Sequence, residues 1–303
     1  MMHVGIFTGY YPYGLKETAA KIQAQGMTTV QLDLAFKDMD LSTEAITRDK
    51  CRAIRDVFRD HNLPICCVSG YTNLVHPNRA ERKKRLHHLK TILRHARELG
   101  SPYVISETGT FAPDSDWVNH PKNRTEEGFE DCASVIRELV QIAYDHGAMF
   151  LLETYVNNVV GSVDETLRMF AQINHSSLGL LMDPTNYFEA HNIGDMNGAL
   201  DKVFNALSDK IKIAHAKDVK LAGVDTSEKH AELFEGASEG HTFRGVGQIE
   251  LPAPGLGSLN YDHYLKRLSE RHPNIPIIIE HLDESDVPRA KKFLDGKLRA
   301  NGL

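Results

Sequence analysis

Tryptophan and cysteine are scarce, at one and four of 303 residues. The four cysteines, Cys51, Cys66, Cys67 and Cys132, show neither the paired spacing of a zinc site nor a disulfide framework, so they read as reduced packing residues. Cys66 and Cys67 are neighbours on an expected strand and should point to opposite faces. No apolar run approaches the roughly 20 residues of a membrane helix. No early segment joins a basic start, an apolar stretch and a small-residue cleavage site, and the opening MMHVGIFTGYY runs directly into a strand-like pattern. These absences set the expectation of a cytoplasmic protein with no membrane partner. The formal net charge of -6 disfavours a nucleic-acid partner.

Linkers are lacking too, and no Gly/Ser-rich or low-complexity tract divides the chain. What is present is alternation, because short Val/Ile/Leu runs take turns with longer helix-period segments. The strand candidates are His3 to Thr8, Thr28 to Asp33, Pro64 to Ser69, Pro102 to Ser106, Met149 to Glu153, Leu178 to Asp183, Ile211 to His215 and Ile275 to Glu280. The intervening helices are punctuated: the third carries Leu86, Leu89, Leu93 and Ala96 on one face and stops at Gly100, and the fourth stops at Gly147. The fifth opens with Ser162-Val163-Asp164-Glu165, a capping box. Eight strand-then-helix units predict an α/β fold, a (β/α)8 TIM barrel with residues 1-303 as one domain. An open doubly wound sheet is the alternative, but Thr8-Gly9-Tyr10-Tyr11-Pro12 after the first strand has no Gly-rich phosphate fingerprint.

One connection is long. From Asp218 to Asn260, after the seventh strand, the chain shows no convincing strand or long helix, and a lid or substrate-covering loop is expected there.

Four strands run apolar residues into one polar side chain: Leu152-Glu153, Met182-Asp183, Ala214-His215 and Ile279-Glu280. Residues at the C-terminal ends of barrel strands face the mouth, where active sites are built. The first three are spaced 30 and 32 residues apart, as consecutive barrel units would be. Three carboxylates and an imidazole form a hard, oxygen-rich set suited to one divalent ion, Mn2+ before Mg2+ or Co2+, with Zn2+ possible.

The segments Glu153-Thr154-Tyr155-Val156-Asn157, Asp183-Pro184-Thr185-Asn186, His215-Ala216-Lys217-Asp218, Arg244-Gly245-Val246-Gly247-Gln248-Ile249, Ile279-Glu280-His281 and Gly70-Tyr71-Thr72-Asn73-Leu74-Val75-His76-Pro77 resemble the successive motifs of the xylose isomerase-like sugar phosphate isomerase/epimerase superfamily. The resemblance implies that Glu153, Asp183, His215 and Glu280 hold one metal ion, that Glu153 and Glu280 also move protons, and that the chain forms a dimer or tetramer. It implies an isomerase or epimerase acting beside the carbonyl of a small sugar or keto-sugar through an enediolate. A lyase is the alternative, either an inosose-type dehydratase or a 3-keto-glycoside β-eliminating enzyme. A non-catalytic sugar-binding barrel is a third reading.

Nucleases of the same superfamily use three metals and extra histidines. Here Asn186 stands where Asp-x-x-His would be expected, and Arg244-Gly245-Val246-Gly247 replaces an Asp-x-His pair. The basic run Arg82-Lys83-Lys84-Arg85 lies on a helix with an apolar opposite face and reads as a solvated surface. Asn186, Asp218, Arg244, Glu107 and Tyr71 are candidate substrate-binding residues. Tyr10, Tyr11, Tyr13 and Tyr71 are candidates for an apolar wall against a sugar. His87, His88 and His95 are expected to face solvent on the third helix.

Overall fold

A computed structural model describes residues 2–223, 243–244 and 248–303, with the backbone alone at 243–244. Eight parallel strands close into a barrel: β1 (His3–Phe7), β2 (Thr29–Leu32), β3 (Ile65–Ser69), β4 (Tyr103–Glu107), β5 (Met149–Glu153), β6 (Leu178–Met182), β7 (Ile211–Ala216) and β11 (Pro276–Ile279), the last of which pairs with β1. Closure leaves no barrel edge unpaired, and helices cover the outside, so both strand faces are dry. Hence β6 is apolar at every position and buried throughout. The observed strands match the eight expected ones to within one or two residues at each end.

The helices are α1 (Leu15–Ala24), α2 (Arg48–Asp60), α3 (Arg79–His95), α4 (Glu126–Asp145), α5 (Val163–Ile173), α6 (Met196–Leu207), α7 (Tyr261–Ser269) and α8 (Val287–Ala300). None of the described helices is long and apolar enough to cross a membrane. Gly100 and Gly147, just beyond α3 and α4, adopt φ of 94° and 65°, which a side chain would resist. At α5 the capping box forms with one change. Ser162 Oγ accepts from the Glu165 amide at 3.1 Å, but the Glu165 carboxylate reaches back one residue further, to the Gly161 amide at 2.8 Å.

Several expectations are corrected. In the connection after β7, where no strand was expected, β8 (Lys220–Leu221), β9 (Phe243–Arg244) and β10 (Ile249–Leu251) form an antiparallel sheet in the order β8-β10-β9. Strands of two or three residues are too short for alternation to declare itself. The remainder of the expected lid, 224–242 and 245–247, lies outside the described residues. The Sγ atoms of Cys66 and Cys67 do not diverge but lie 3.7 Å apart, beside a register irregularity between β2 and β3.

On α3, Arg82 forks onto Asp131 of α4 at 2.9 and 2.7 Å, while Arg85 binds Glu81 and Asp116 at 2.8 and 2.6 Å. The two arginines therefore tie helix to helix and loop, while Lys83 and Lys84 are exposed as expected. Of the three histidines only His87 is exposed. His88 Nδ1 lies 2.9 Å from Thr43 Oγ1, and His95 is half-buried because it sits beside the apolar stripe.

The barrel interior explains where the polar strand ends go. Cys67, Ile105, Leu151, Leu181, Ile213 and Ile278 form a separate apolar cluster, each at 0% exposure. Side chains two residues apart on a strand share a face. Two residues beyond Ile105, Leu151, Leu181, Ile213 and Ile278 stand Glu107, Glu153, Asp183, His215 and Glu280, and two beyond His215 stands Lys217. The polar set is thus the next layer of the barrel interior, resting on an apolar floor. Leu181→Ala should cost about 3 kcal/mol by opening a cavity in that floor. Urea unfolding would measure the loss, and a change under about 1 kcal/mol would show that the floor does not carry this load.

Candidate metal centre

Glu153 and Asp183 are at most 1% exposed, His215 is fully buried, and each of the three can bring one ligand atom within 4.8 Å of those of the others. The Asp183 carboxylate is divided between two tasks. Its Oδ1 accepts from the amide and hydroxyl of Thr185, both at 2.8 Å, which leaves Oδ2 to face the centre. There Oδ2 lies 3.2 Å from His215 Nδ1.

Gln31 fixes the opposite side of the imidazole. Its Oε1 is 2.9 Å from His215 Nε2, and its Nε2 donates to Glu280 Oε1 at 2.9 Å. An amide oxygen only accepts, so Nε2 of His215 carries the hydrogen and Nδ1 is the atom available to an ion. Glu153 is held by Asn186, which donates to Oε1 at 2.8 Å, and by the Tyr71 hydroxyl, which donates to Oε2 at 2.5 Å. The oxygen-rich donors fit a divalent cation, with Glu153, Asp183 and His215 as ligands. Glu280 is outside this closest group, and its Oε1 lies 3.5 Å from His215 Nε2.

The sequence reading missed Lys217. Its ammonium is 2.6 Å from Asp183 Oδ2, 3.1 Å from Glu280 Oε2 and 3.8 Å from Glu153 Oε1. It thereby joins Glu280 to the other carboxylates. The period-two step from His215 would have found it, since the alternation that turns Ile213 and His215 inward on β7 continues to Lys217, one residue past the strand. Gln31, the one amide side chain in the buried strand Thr29–Leu32, offered a similar signal.

The electrostatics follow from this crowding. Burial alone would lower the His215 pKa, but Glu280, Glu153 and the contact with Asp183 overcome it and raise it to about 10. Burial also opposes charge on Lys217, yet Asp183, Glu280 and Glu153 hold its ammonium well above the usual range. Asp183 is held well below the carboxylate range because Lys217 and His215 outweigh its burial. Glu107, the last residue of β4, is pushed well up by burial and by the Glu153 carboxylate. Burial and Lys217 keep His281 well below the imidazole range.

Above the layer lies a cavity of about 400 Å3 lined in part by Tyr10, Tyr71, Glu107, Trp117, Tyr155 and Leu251. Asn186, Lys217, Glu153 and Glu280 supply polar atoms to the same cavity. Two of the four tyrosines expected in an apolar wall are elsewhere. Tyr11 is buried and bonds to Gln25, and Tyr13 donates to Glu284 at 2.7 Å. Trp117 and Tyr155, in edge-to-face contact at 6.1 Å, were missed because each lies in a loop with no periodicity.

Asp218, expected to face substrate, is instead turned to the chain. Its carboxylate accepts from the amides of Val219, Gly255 and Leu259 at 2.8, 2.9 and 2.9 Å. The strand end that aims Lys217 inward sends its neighbour outward, to fasten the connection that follows. Arg244 lies in β9, and its side chain is outside the described part of the structure.

The model of the xylose isomerase-like TIM barrel family matches residues 19–297. The chain belongs to that family. Among solved structures, a xylose isomerase domain protein from Planctomyces limnophilus is 20% identical over 99% of both chains, with a TM-score of 0.69. A D-tagatose 3-epimerase-like protein is 18% identical over 99% of this chain and 98% of that one, with a TM-score of 0.70. An IolI protein with a bound zinc atom is 16% identical over 99% of both chains, with a TM-score of 0.68. At these identities the likeness shows the fold alone. No curated protein matches the sequence significantly.

Two outcomes follow for this xylose isomerase-like barrel. Asp218→Ala would strand three buried amides and should lower stability by about 3 kcal/mol in urea unfolding; an unchanged midpoint would show that the connection is held by other contacts. With its pKa raised to about 10, His215 is protonated at neutral pH, and an ion that takes Nδ1 must displace that proton. Affinity for Mn2+ should therefore weaken as pH falls, by about tenfold per unit for one proton. Calorimetric titrations between about pH 6 and pH 8 in buffers of different ionisation enthalpy would count the proton released. An affinity independent of pH would exclude displacement.

Proposed function

We propose that the protein is a divalent-metal-dependent sugar isomerase or epimerase that moves a proton at a carbon beside a carbonyl. The observation that carries this reading is the placement of Glu153 and Glu280 along one arc of the barrel. The strand order β5-β6-β7-β11 puts Asp183 and His215 between them, and both glutamates line the cavity. A proton taken on one side of a sugar seated over the arc has a second carboxylate on the other side to return it.

Glu153, Asp183, His215 and Glu280 would hold the ion, most suitably Mn2+ with Mg2+, Co2+ or Zn2+ as substitutes. When bound, it supplies Lewis acidity that stabilises negative charge developing on the substrate oxygens. Glu153 and Glu280 take and return the proton as carboxylate base and carboxylic acid. Tyr71 and Asn186 keep the Glu153 oxygens aimed, because each donates to one of them. Glu107, whose charged form is disfavoured by burial and by Glu153, lines the cavity within reach of a sugar hydroxyl. Tyr10, Trp117, Tyr155 and Leu251 supply an apolar wall that excludes water from the reacting carbon.

The test is a panel of ketoses and keto-sugars with Mn2+ in D2O. The expected result is solvent deuterium in a product of unchanged formula. Loss of water or of an aglycone would replace this reading with the lyase. No metal-dependent exchange in any sugar would overturn both and favour a binding protein. Glu153→Gln and Glu280→Gln should each lower turnover by about 10²- to 10⁴-fold with the melting temperature preserved. Near-normal turnover in either would remove that residue from proton transfer.

A further inference from the structure

Lys217 has no part in the proton-transfer scheme, yet it is the most heavily engaged cation of the described cavity wall. It is 5% exposed, and its ammonium touches Asp183 Oδ2 and Glu280 Oε2. For Asp183 this contact is decisive, because Thr185 occupies Oδ1 twice and Oδ2 is the one oxygen the aspartate has left to offer an ion. Glu280 is similar, with Gln31 on Oε1 and Lys217 on Oε2.

We infer that Lys217 is an internal counter-ion that competes with the divalent metal for Asp183 and Glu280 and so sets the affinity of the centre. This rests on the metal-binding reading of the site. An ion settling on Asp183 Oδ2 must displace the ammonium from a 2.6 Å contact, and it then shares the cavity with a like charge. Both effects weaken metal binding. The side chain gains a new position in exchange: it lines the cavity, so the displaced ammonium is presented to an oxygen of the bound sugar. Three carboxylates, one ammonium and one divalent ion also sum to neutrality, whereas the carboxylates and ion alone carry a net negative charge.

The experiment is a direct titration of Mn2+ into the full-length protein, without substrate, at fixed pH, comparing wild type with Lys217→Met, Lys217→Gln and Lys217→Arg. Removing the charge should tighten binding by about tenfold or more in the Met and Gln variants. Arg, which keeps the charge, should stay within about threefold of wild type. The rise in melting temperature on adding Mn2+ should be larger in the neutral variants than in wild type. The Gln variant retains a donor for Asp183, so it tests the idea even where burial of unpaired carboxylates prevents the Met variant from folding. Unchanged or weaker affinity in a folded neutral variant overturns the inference, as does an equal gain in the Arg variant. Wild type that binds no Mn2+ overturns the metal-centre reading as well. Wild type that binds it with no difference in the neutral variants overturns the inference alone. None of these readouts depends on finding the sugar.

Discussion

Three carboxylates buried at the floor of one cavity require positive charge close by, since isolated buried anions are costly. Glu153, Asp183 and Glu280 are each at most 6% exposed. His215 answers them from β7 and Lys217 from the residue just past its end. Much of the remaining local architecture serves to hold this charge cluster in register. Thr185 fixes one Asp183 oxygen, Gln31 spans His215 and Glu280, and Asn186 and Tyr71 fix Glu153. Each holds a charged group by a directional bond, which is how a site keeps its ligands aimed while its charges change.

The barrel supplies the positions through strand alternation. Leu151, Leu181, Ile213 and Ile278 fill the interior, and the next inward-facing residue on each strand is polar. The apolar layer excludes water from below, so the charges above it interact in a low-dielectric setting. This coupling explains why an imidazole reaches a pKa of about 10 while the aspartate beside it is held strongly acidic.

The barrel was legible because eight apolar runs and their helix punctuation repeat one physical pattern. The polar strand ends were legible for the same reason, since Glu153, Asp183, His215 and Glu280 each interrupt an apolar run at its C-terminal end. Beyond the strands that logic fails. Asp218 follows His215 closely and is as polar as its neighbours, yet it faces backbone amides, because the chain has left the strand and burial of loop amides decides its direction. Tyr11 and Tyr13 share a loop with Tyr10 but point away from the cavity, whereas Trp117 and Tyr155 enter it from distant loops. Lys217 was readable by alternation and was passed over because a lysine beside a loop ordinarily belongs to the surface. Only the charge balance of the assembled site makes it necessary.

That balance bears on which substrates the cavity suits. Among the described residues lining it, Lys217 is the one lysine or arginine, and three carboxylates already claim its ammonium. Burial and Lys217 disfavour charge on His281, while burial and the Glu153 carboxylate disfavour it on Glu107. In the metal-free centre an anion on this wall would compete with the carboxylates for that one cation. The charges that make a metal site possible on this layer thus engage the one lysine of the described wall before any ion arrives.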